Sequence, residues 1–166
     1  GMISGAEFHV RRNTGSFGTI NYMANQDGFT LYDTVAYNYR HNEANGEDNR
    51  DGSEFNYSWN CGIEGATRKQ VIRKMREQQM RNAFLMLLLS QGTPMIYGGD
   101  EFANSQAGNN NAWCQDNAVG WTDWKNAKKQ ENLSSFVKEA IAFRKKHPIL
   151  HMPQEMRGVD YMAKGF

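Results

Sequence analysis

From Asn38 to Gly65 the chain is crowded with Asn, Asp, Glu and Gly of mixed charge, and no apolar periodicity runs through it. A loop of that length is uncommon inside a compact domain and usually has a function. Any fold for this chain must give that stretch a place. The pieces on either side of it are ordered. Thr19 to Ala24 alternates weakly and predicts a short strand. Beyond the loop, Thr67-Arg-Lys-Gln70 fits a capping box, with Thr67 as N-cap and Gln70 reaching back. Ile72, Met75, Gln79, Ala83 and Met86 then step along one face at spacings of three and four, predicting a helix to about Ser90, ended by Gln91-Gly92.

Thr93 to Tyr97 follows as a short buried strand, with Pro94 tolerated near its start. A second polar loop covers Gly98 to Lys125. The last helix is predicted from about Leu133 to Lys146, with Phe136, Val137, Ala140, Ile141 and Arg144 on one side and Pro148 ending it. Residues 1–18 carry little periodicity and read as an irregular leader, in which Gly1 ahead of Met2 reads as a remnant of tag removal. Strand, loop, helix, repeated once, is a doubled βα unit. It predicts an α/β fold with parallel strands and a right-handed crossover. Two parallel strands alone do not make a covered sheet, so the chain reads as part of something larger.

Composition narrows the partners. With 166 residues, one domain is the comfortable reading, and 39% hydrophobic against 22% charged residues supports a globular core. Lys+Arg 19 against Asp+Glu 18 leaves +1, which gives no footprint for nucleic acid or an anionic membrane. The apolar run Phe84 to Leu89 is far shorter than the roughly 18 residues of a membrane helix. Arg11-Arg12 is not followed by an apolar stretch, so no signal peptide is read and a cytoplasmic setting is expected. Cys61 and Cys114 suit neither a disulfide scaffold nor a four-ligand zinc site.

The sequence becomes specific at Asn21-Tyr-Met-Ala-Asn-Gln-Asp27-Gly-Phe-Thr-Leu-Tyr-Asp33. Four more segments follow in order: Asn42-Glu-Ala-Asn-Gly-Glu-Asp-Asn-Arg-Asp-Gly52, and Ser58-Trp-Asn-Cys-Gly62 with Glu64-Gly65; then Leu89 to Phe102, which holds Gly92-Thr-Pro-Met-Ile-Tyr-Gly-Gly-Asp-Glu101; and Gly108-Asn-Asn-Asn-Ala-Trp-Cys-Gln-Asp-Asn117. Together they resemble the α-amylase clan of glycoside hydrolases, in its isoamylase and glycogen-debranching, pullulanase-like branch. The first segment resembles the fourth motif of that clan.

The resemblance implies a (β/α)₈ TIM barrel with its active site on the loops at the C-terminal strand ends. Thr19–Ala24 would be the seventh strand and Thr93–Tyr97 the eighth, so residues 19–148 would be the last two βα units. Residues 149–166 would begin a connection to a further domain. A whole barrel takes about 250 residues. The expected fold is therefore an incomplete barrel, oligomerised or rearranged, because unpaired strand edges and apolar helix faces need cover. Its expected partner is a second copy or a complementing N-terminal barrel fragment.

The implied activity is hydrolysis of α-1,6 linkages in an α-glucan such as glycogen, starch or a malto-oligosaccharide. Retaining hydrolysis uses two carboxyl groups about 5 Å apart, as nucleophile and acid/base. In this family they lie on the fourth and fifth strands, and the residues here offer no substitute. A third carboxylate binds sugar hydroxyls and stabilises the positive transition state, and by resemblance it is Asp27. The family's usual histidine before it is Gln26 here, which donates a hydrogen bond but never carries charge. Gln26, Asn110 and Trp113 are the expected substrate-binding residues. No cofactor and no metal is expected. The chain alone should be catalytically dead, and the alternative is a non-catalytic α-glucan-binding accessory protein or an inactive remnant.

Other residues have plainer readings. Asp100 and Glu101 are adjacent at a strand end, where neighbours point apart, and read as structural or rim groups. Glu47 to Gly52 resembles a calcium loop but puts Ser58 where the twelfth-position Glu belongs. His41 and His147 lack partners at metal-ligand spacing and read as solvated or packed. Trp59, Trp121 and Trp124 are expected to pack in the core or loops, and both cysteines to pack as small apolar groups.

Overall fold

Two short strands pair in parallel in the computed structural model, which describes residues 20–153. The leader expected over residues 1–18 and most of the connection expected over 149–166 lie outside the described residues. In β1 (Ile20–Asn21) Ile20 faces Thr93, and Asn21 faces Pro94 of β2 (Thr93–Pro94). The parallel pairing agrees with the βα order. Both strands are shorter than the sequence predicts. Pro94 has no N–H to offer a ladder, and the chain past it is held instead by Met95 N–H donating to Asn21 O at 2.8 Å. The Asn21 side chain turns away to donate to Gln91 O at 2.5 Å.

A short helix, α1 (Leu31–Thr34), follows β1 and is capped by Thr30, whose hydroxyl accepts from Asp33 N–H at 3.1 Å. The long α2 (Gln70–Leu89) comes next. Thr67 does not cap it. Its hydroxyl accepts from Lys69 N–H at 3.2 Å, which is a local turn, and the helix opens three residues after Thr67 with Lys69 at the N-cap. The buried face of α2 is also turned from the predicted one: Arg76, Met80, Phe84, Leu87 and Leu88 are buried, Gln79 is half-buried, and Met86 is exposed. Ile72, Met75 and Ala83 flank that stripe against the core.

The polar stretch before the last helix holds α3 (Trp124–Lys129), which the sequence reading leaves as loop. Asp123 starts it by accepting from Lys125 and Asn126 N–H at 3.0 and 3.3 Å. In α4 (Glu131–Lys146) the predicted side is buried through Val137, Ala140 and Arg144, with Leu133 added. Phe136 and Ile141 line its edges. Helix α4 packs on α2, and Met80 and Phe84 meet Leu133 and Val137 in one core with Ala24, Leu31 and Val35. Truncating a fully buried phenylalanine such as Phe84 typically costs about 3–5 kcal/mol.

Arg144 closes the far end of α2. Its guanidinium donates to Leu88, Ser90 and Gly92 carbonyls at 2.7, 2.6 and 2.6 Å, meeting acceptors that helix geometry leaves over. Ile20, Leu85, Met86 and Leu89 lie exposed. No helix among the described residues is long and apolar enough to cross a membrane.

Candidate functional site

Two loops rise from the same ends of β1 and β2, and side-chain amides sew them together. Asn42 Nδ2 donates to Asn110 Oδ1 at 2.8 Å, and Asn110 N–H donates to Asn42 Oδ1 at 3.0 Å. The Asn110 amide also donates to Ser53 O and Asn56 Oδ1 at 2.8 and 2.6 Å. Asn45 and Asn111 both donate to Asp51 Oδ2, at 2.7 and 2.8 Å. Those two bonds hold the Asp51 carboxyl below the usual carboxylate range. Buried amides that are fully bonded rigidify a loop, whereas unbonded ones would cost dearly.

Carboxylates tie the loop bases. Asp33, fully buried, accepts from Ser105 Oγ at 2.5 Å and from Gln106 N–H at 2.8 Å. Asp100 accepts from Leu31 N–H at 2.9 Å. Burial pushes Asp33 up to about 6 despite those bonds, and Asp100 to about 7, where Glu101 and Asp33 add repulsion. Glu64 gathers N–H groups of Asn38 and Tyr39, the Asn60 amide and His41; burial raises it, and these bonds together bring it below its usual value. Arg76 holds the other end of the same loop. It donates to Gly65 O at 2.7 Å, Asn60 O at 2.9 Å and Ile63 O.

Against this frame β1 runs into a turn in which Asn25 Oδ1 accepts from Asp27 N–H at 2.9 Å. The turn pushes Gln26 and Asp27 out into solvent, with Gln26 Nε2 donating to Asp27 Oδ2 at 3.5 Å. Asp27 stands on the edge of a cleft of about 420 Å³. Tyr22 and Phe29 line its β1 side, Gln79, Asn82 and Met86 its α2 side, and Phe55, Tyr57 and Trp59 its outer lip. Those three aromatic rings are exposed. Tyr57 has φ +49, in the left-handed region that costs a bulky residue energy.

The expected site residues therefore separate. Asp27 borders the cleft with Gln26 beside it. Asn110 is 1% exposed, behind the loops, with its amide committed. Trp113 stands exposed on the turn Ala112–Cys114 and is not part of the cleft wall that holds Asp27. The expected packing of tryptophans is not found: Trp59, Trp121 and Trp124 are exposed, because the loops are filled by amides and not by rings. Trp121 instead donates its indole N–H to Asp116 at 2.9 Å, and Trp124 leans on Phe102. Cys61 packs in the core, while Cys114 is exposed.

His41 packs edge-on against Tyr37, and His147 stacks on Phe143. Glu101 turns back to accept from Gly99 N–H at 2.9 Å. Among the described residues no group of three or more His, Cys, Asp or Glu is placed to hold a metal. Phe55 and Tyr57 of the aromatic lip and the structural role of the buried Asp33 are what sequence reasoning missed. Phe55 and Tyr57 sit inside a polar run with no period, so only their chemical type marked them.

Comparison with known proteins adds ancestry to this geometry. No protein-family profile matches the chain. The glycogen operon protein GlgX homolog of Mycobacterium tuberculosis is 48% identical over 140 residues, covering 84% of this chain and 19% of its own length. The glycogen debranching enzyme of Erwinia tasmaniensis is 47% identical, covering 80% of this chain and 20% of its own. Isoamylase 1 of Oryza sativa subsp. japonica, a chloroplastic protein, is 45% identical over 76% of this chain. The chain thus spans about a fifth of the length of the curated relatives it matches.

Among solved structures, the pullulanase of Paenibacillus barengoltzii in complex with maltohexaose and alpha-cyclodextrin matches 81% of this chain and 16% of its own, with TM-score 0.57 and 23% identity. The Anoxybacillus sp. LM18-11 pullulanase complexed with maltotetraose gives TM-score 0.57 and 24% identity, with the same coverage. At that identity the likeness is one of fold.

Proposed function

This chain belongs to the α-amylase-clan debranching family, and on that premise we propose that it forms the last two βα units of a (β/α)₈ barrel that cleaves α-1,6 branch linkages in an α-glucan. In this reading β1 is the seventh strand and β2 the eighth. The observation that carries it is Asp27, thrust to the edge of an aromatic-lipped cleft directly after β1. An ionised carboxylate there binds sugar hydroxyls and stabilises the positive charge of an oxocarbenium-like transition state. Gln26 orients it by donating to Oδ2.

The faces of Phe55, Tyr57 and Trp59 suit the apolar faces of pyranose rings. Asn110 supports sugar binding from behind, by fixing the segment Ser53–Asn56 that leads into that lip. Trp113 offers an aromatic face to outlying sugar units. The nucleophile and the acid/base belong to the fourth and fifth barrel strands, so residues 20–153 bind glucan and do not hydrolyse it. The exposed Ile20, Leu85 and Leu89 are where a complementing barrel part, or a second copy, covers the core.

Calorimetric titration of the full chain with a malto-oligosaccharide tests this. Saturable binding without release of reducing ends is expected. Asp27→Ala should weaken it about tenfold or more, about 1.4 kcal/mol per tenfold. Absence of binding by the wild type, or equal binding by the variant, overturns the reading.

A further inference from the structure

A hollow of about 310 Å³ adjoins the Asp27 cleft, and the two share Asn56 as a wall. Along the segment Ser53–Asn56 the side chains divide between them. Phe55 lines the cleft, Glu54 lines the hollow, and Asn56 lines both. Asn56 is therefore a ridge from which a bound chain could pass from one to the other. Asn38, Tyr39, Arg40 and Asn49, from the first half of the same polar loop, make up the rest of the hollow.

The wall is held in place by bonds from outside it. The N–H groups of Asn38 and Tyr39 donate to Glu64 at 2.8 and 3.1 Å, and Arg40 Nε donates to Asn49 O at 2.8 Å. Asn56 Oδ1 accepts from the buried Asn110 amide at 2.6 Å. What these bonds leave over faces outward: among the described residues neither the Glu54 carboxylate nor Asn38 Nδ2 has a hydrogen-bond partner, and Tyr39 is 72% exposed. Beside the ridge, Tyr57 is the bulky residue at φ +49. Backbone strain of this kind persists only where the surroundings over-determine it, and it gathers at ligand clamps.

The chemistry of the hollow fits a neutral polyol. Arg40 only donates, Glu54 only accepts, and the amides of Asn38 and Asn49 belong to a type that does both. One cation and one carboxylate favour neither an anion nor a cation, whereas hydroxyl groups, which donate and accept at one oxygen, suit the whole set. Tyr39 offers an aromatic face to the apolar face of a pyranose ring. The volume is at the small end of ligand pockets and suits part of a chain rather than a whole ligand. We infer that the hollow is a second sugar site, which takes the outlying units of an α-glucan whose nearer units lie against Asp27, the chain crossing at Asn56. This rests on the reading of the Asp27 cleft as a glucan site.

Calorimetric titration of the full chain with maltotriose and, separately, with maltohexaose tests the second site through chain length. Maltohexaose should bind at least about tenfold more tightly. Tyr39→Ala and Glu54→Ala, both at exposed positions, should each remove most of that gain and leave maltotriose affinity as in the wild type. The amide signals of Tyr39 and Asn49 should shift with the long sugar and stay with the short one. Asp27→Ala should weaken both sugars alike. Equal affinity of the wild type for the two sugars, or a length gain that survives both exposed substitutions, overturns the second site while the effect of Asp27→Ala upholds the cleft. Wild-type affinities in Asp27→Ala overturn the cleft reading, and with it the hollow as its continuation. Absence of binding of either sugar overturns both.

Discussion

Asn42 and Asn110 are each other's partners twice over: the Asn42 amide donates to Asn110 Oδ1 at 2.8 Å, and the Asn110 backbone N–H donates to Asn42 Oδ1 at 3.0 Å. Both side chains are buried. Replacing Asn110 by Ala leaves the Asn42 amide, Ser53 O and Asn56 Oδ1 short of a partner, and should cost about 2–4 kcal/mol in urea unfolding. A double-mutant cycle with Asn42→Ala should return a coupling of about 1–2 kcal/mol. Additive losses would mean that the two loops are anchored separately.

Gly52 lies under that pair with φ +74, and a Cβ there would stand 2.2 Å from Asn110 Oδ1 and 2.8 Å from Asn42 Nδ2. Gly46 has a similar φ of +80 but open space around it. Gly46→Ala should cost about 1–2 kcal/mol from backbone conformation alone. Gly52→Ala should cost at least twice as much, because the amide pair must part. Thermal melts of the two variants side by side measure the difference.

Stability should fall as pH rises from about 5 to 8. Asp33 and Asp100 have folded values raised to about 6 and about 7 from 3.8, so between those limits the folded chain holds protons that the unfolded chain has released. The stability that comes with these protons is complete below the unfolded value and is lost as pH climbs through the folded ones. Asp51 and Glu64 are shifted downward and act oppositely: their contribution is present above the unfolded values and is lost as pH falls through the lower folded ones. Asp100→Asn keeps an oxygen for Leu31 N–H and removes one titration, so its urea midpoints should vary less between pH 5 and 8. An unchanged slope would assign the pH dependence to other groups.

Arg144→Lys should destabilise by about 2 kcal/mol, since one ammonium replaces a planar fork that serves three carbonyls. Hydrogen exchange should locate the loss in the segment Leu88–Gly92 and leave the first turns of α2 unchanged.

How much of this was legible in the sequence differs by element. Helix α4 was readable because Val137, Ala140 and Arg144 keep one period and Pro148 stops it. On α2 the buried stripe passes through Arg76, a charge that no apolar count places inside; its burial depends on carbonyls of Asn60, Ile63 and Gly65, which folding brings to it. Thr67 satisfied the capping pattern but spends its hydroxyl on Lys69 within the preceding turn. Helix α3 had a local sign in Asp123, hidden by the polar residues around it. The motif singled out Asp27, and Asp27 lines the cleft. Phe55 and Tyr57 on the lip lie outside the motifs, and Trp59, inside the Ser58–Gly62 segment, reads there as a packed ring, since its neighbours across the cleft are set by tertiary packing.

The reach of Arg144 also sets an order of events at the ribosome. Leu88 O and the Arg144 guanidinium that closes it are 56 positions apart. While the chain is being made, the residues of α2 are all in place long before the group that closes its last carbonyls, and during that interval water must serve them. A nascent chain paused before Arg144 therefore lacks both the cover for the Met80 and Phe84 face of α2 and the group that closes its end, and the final seal on that helix is the arrival of α4, two helices later.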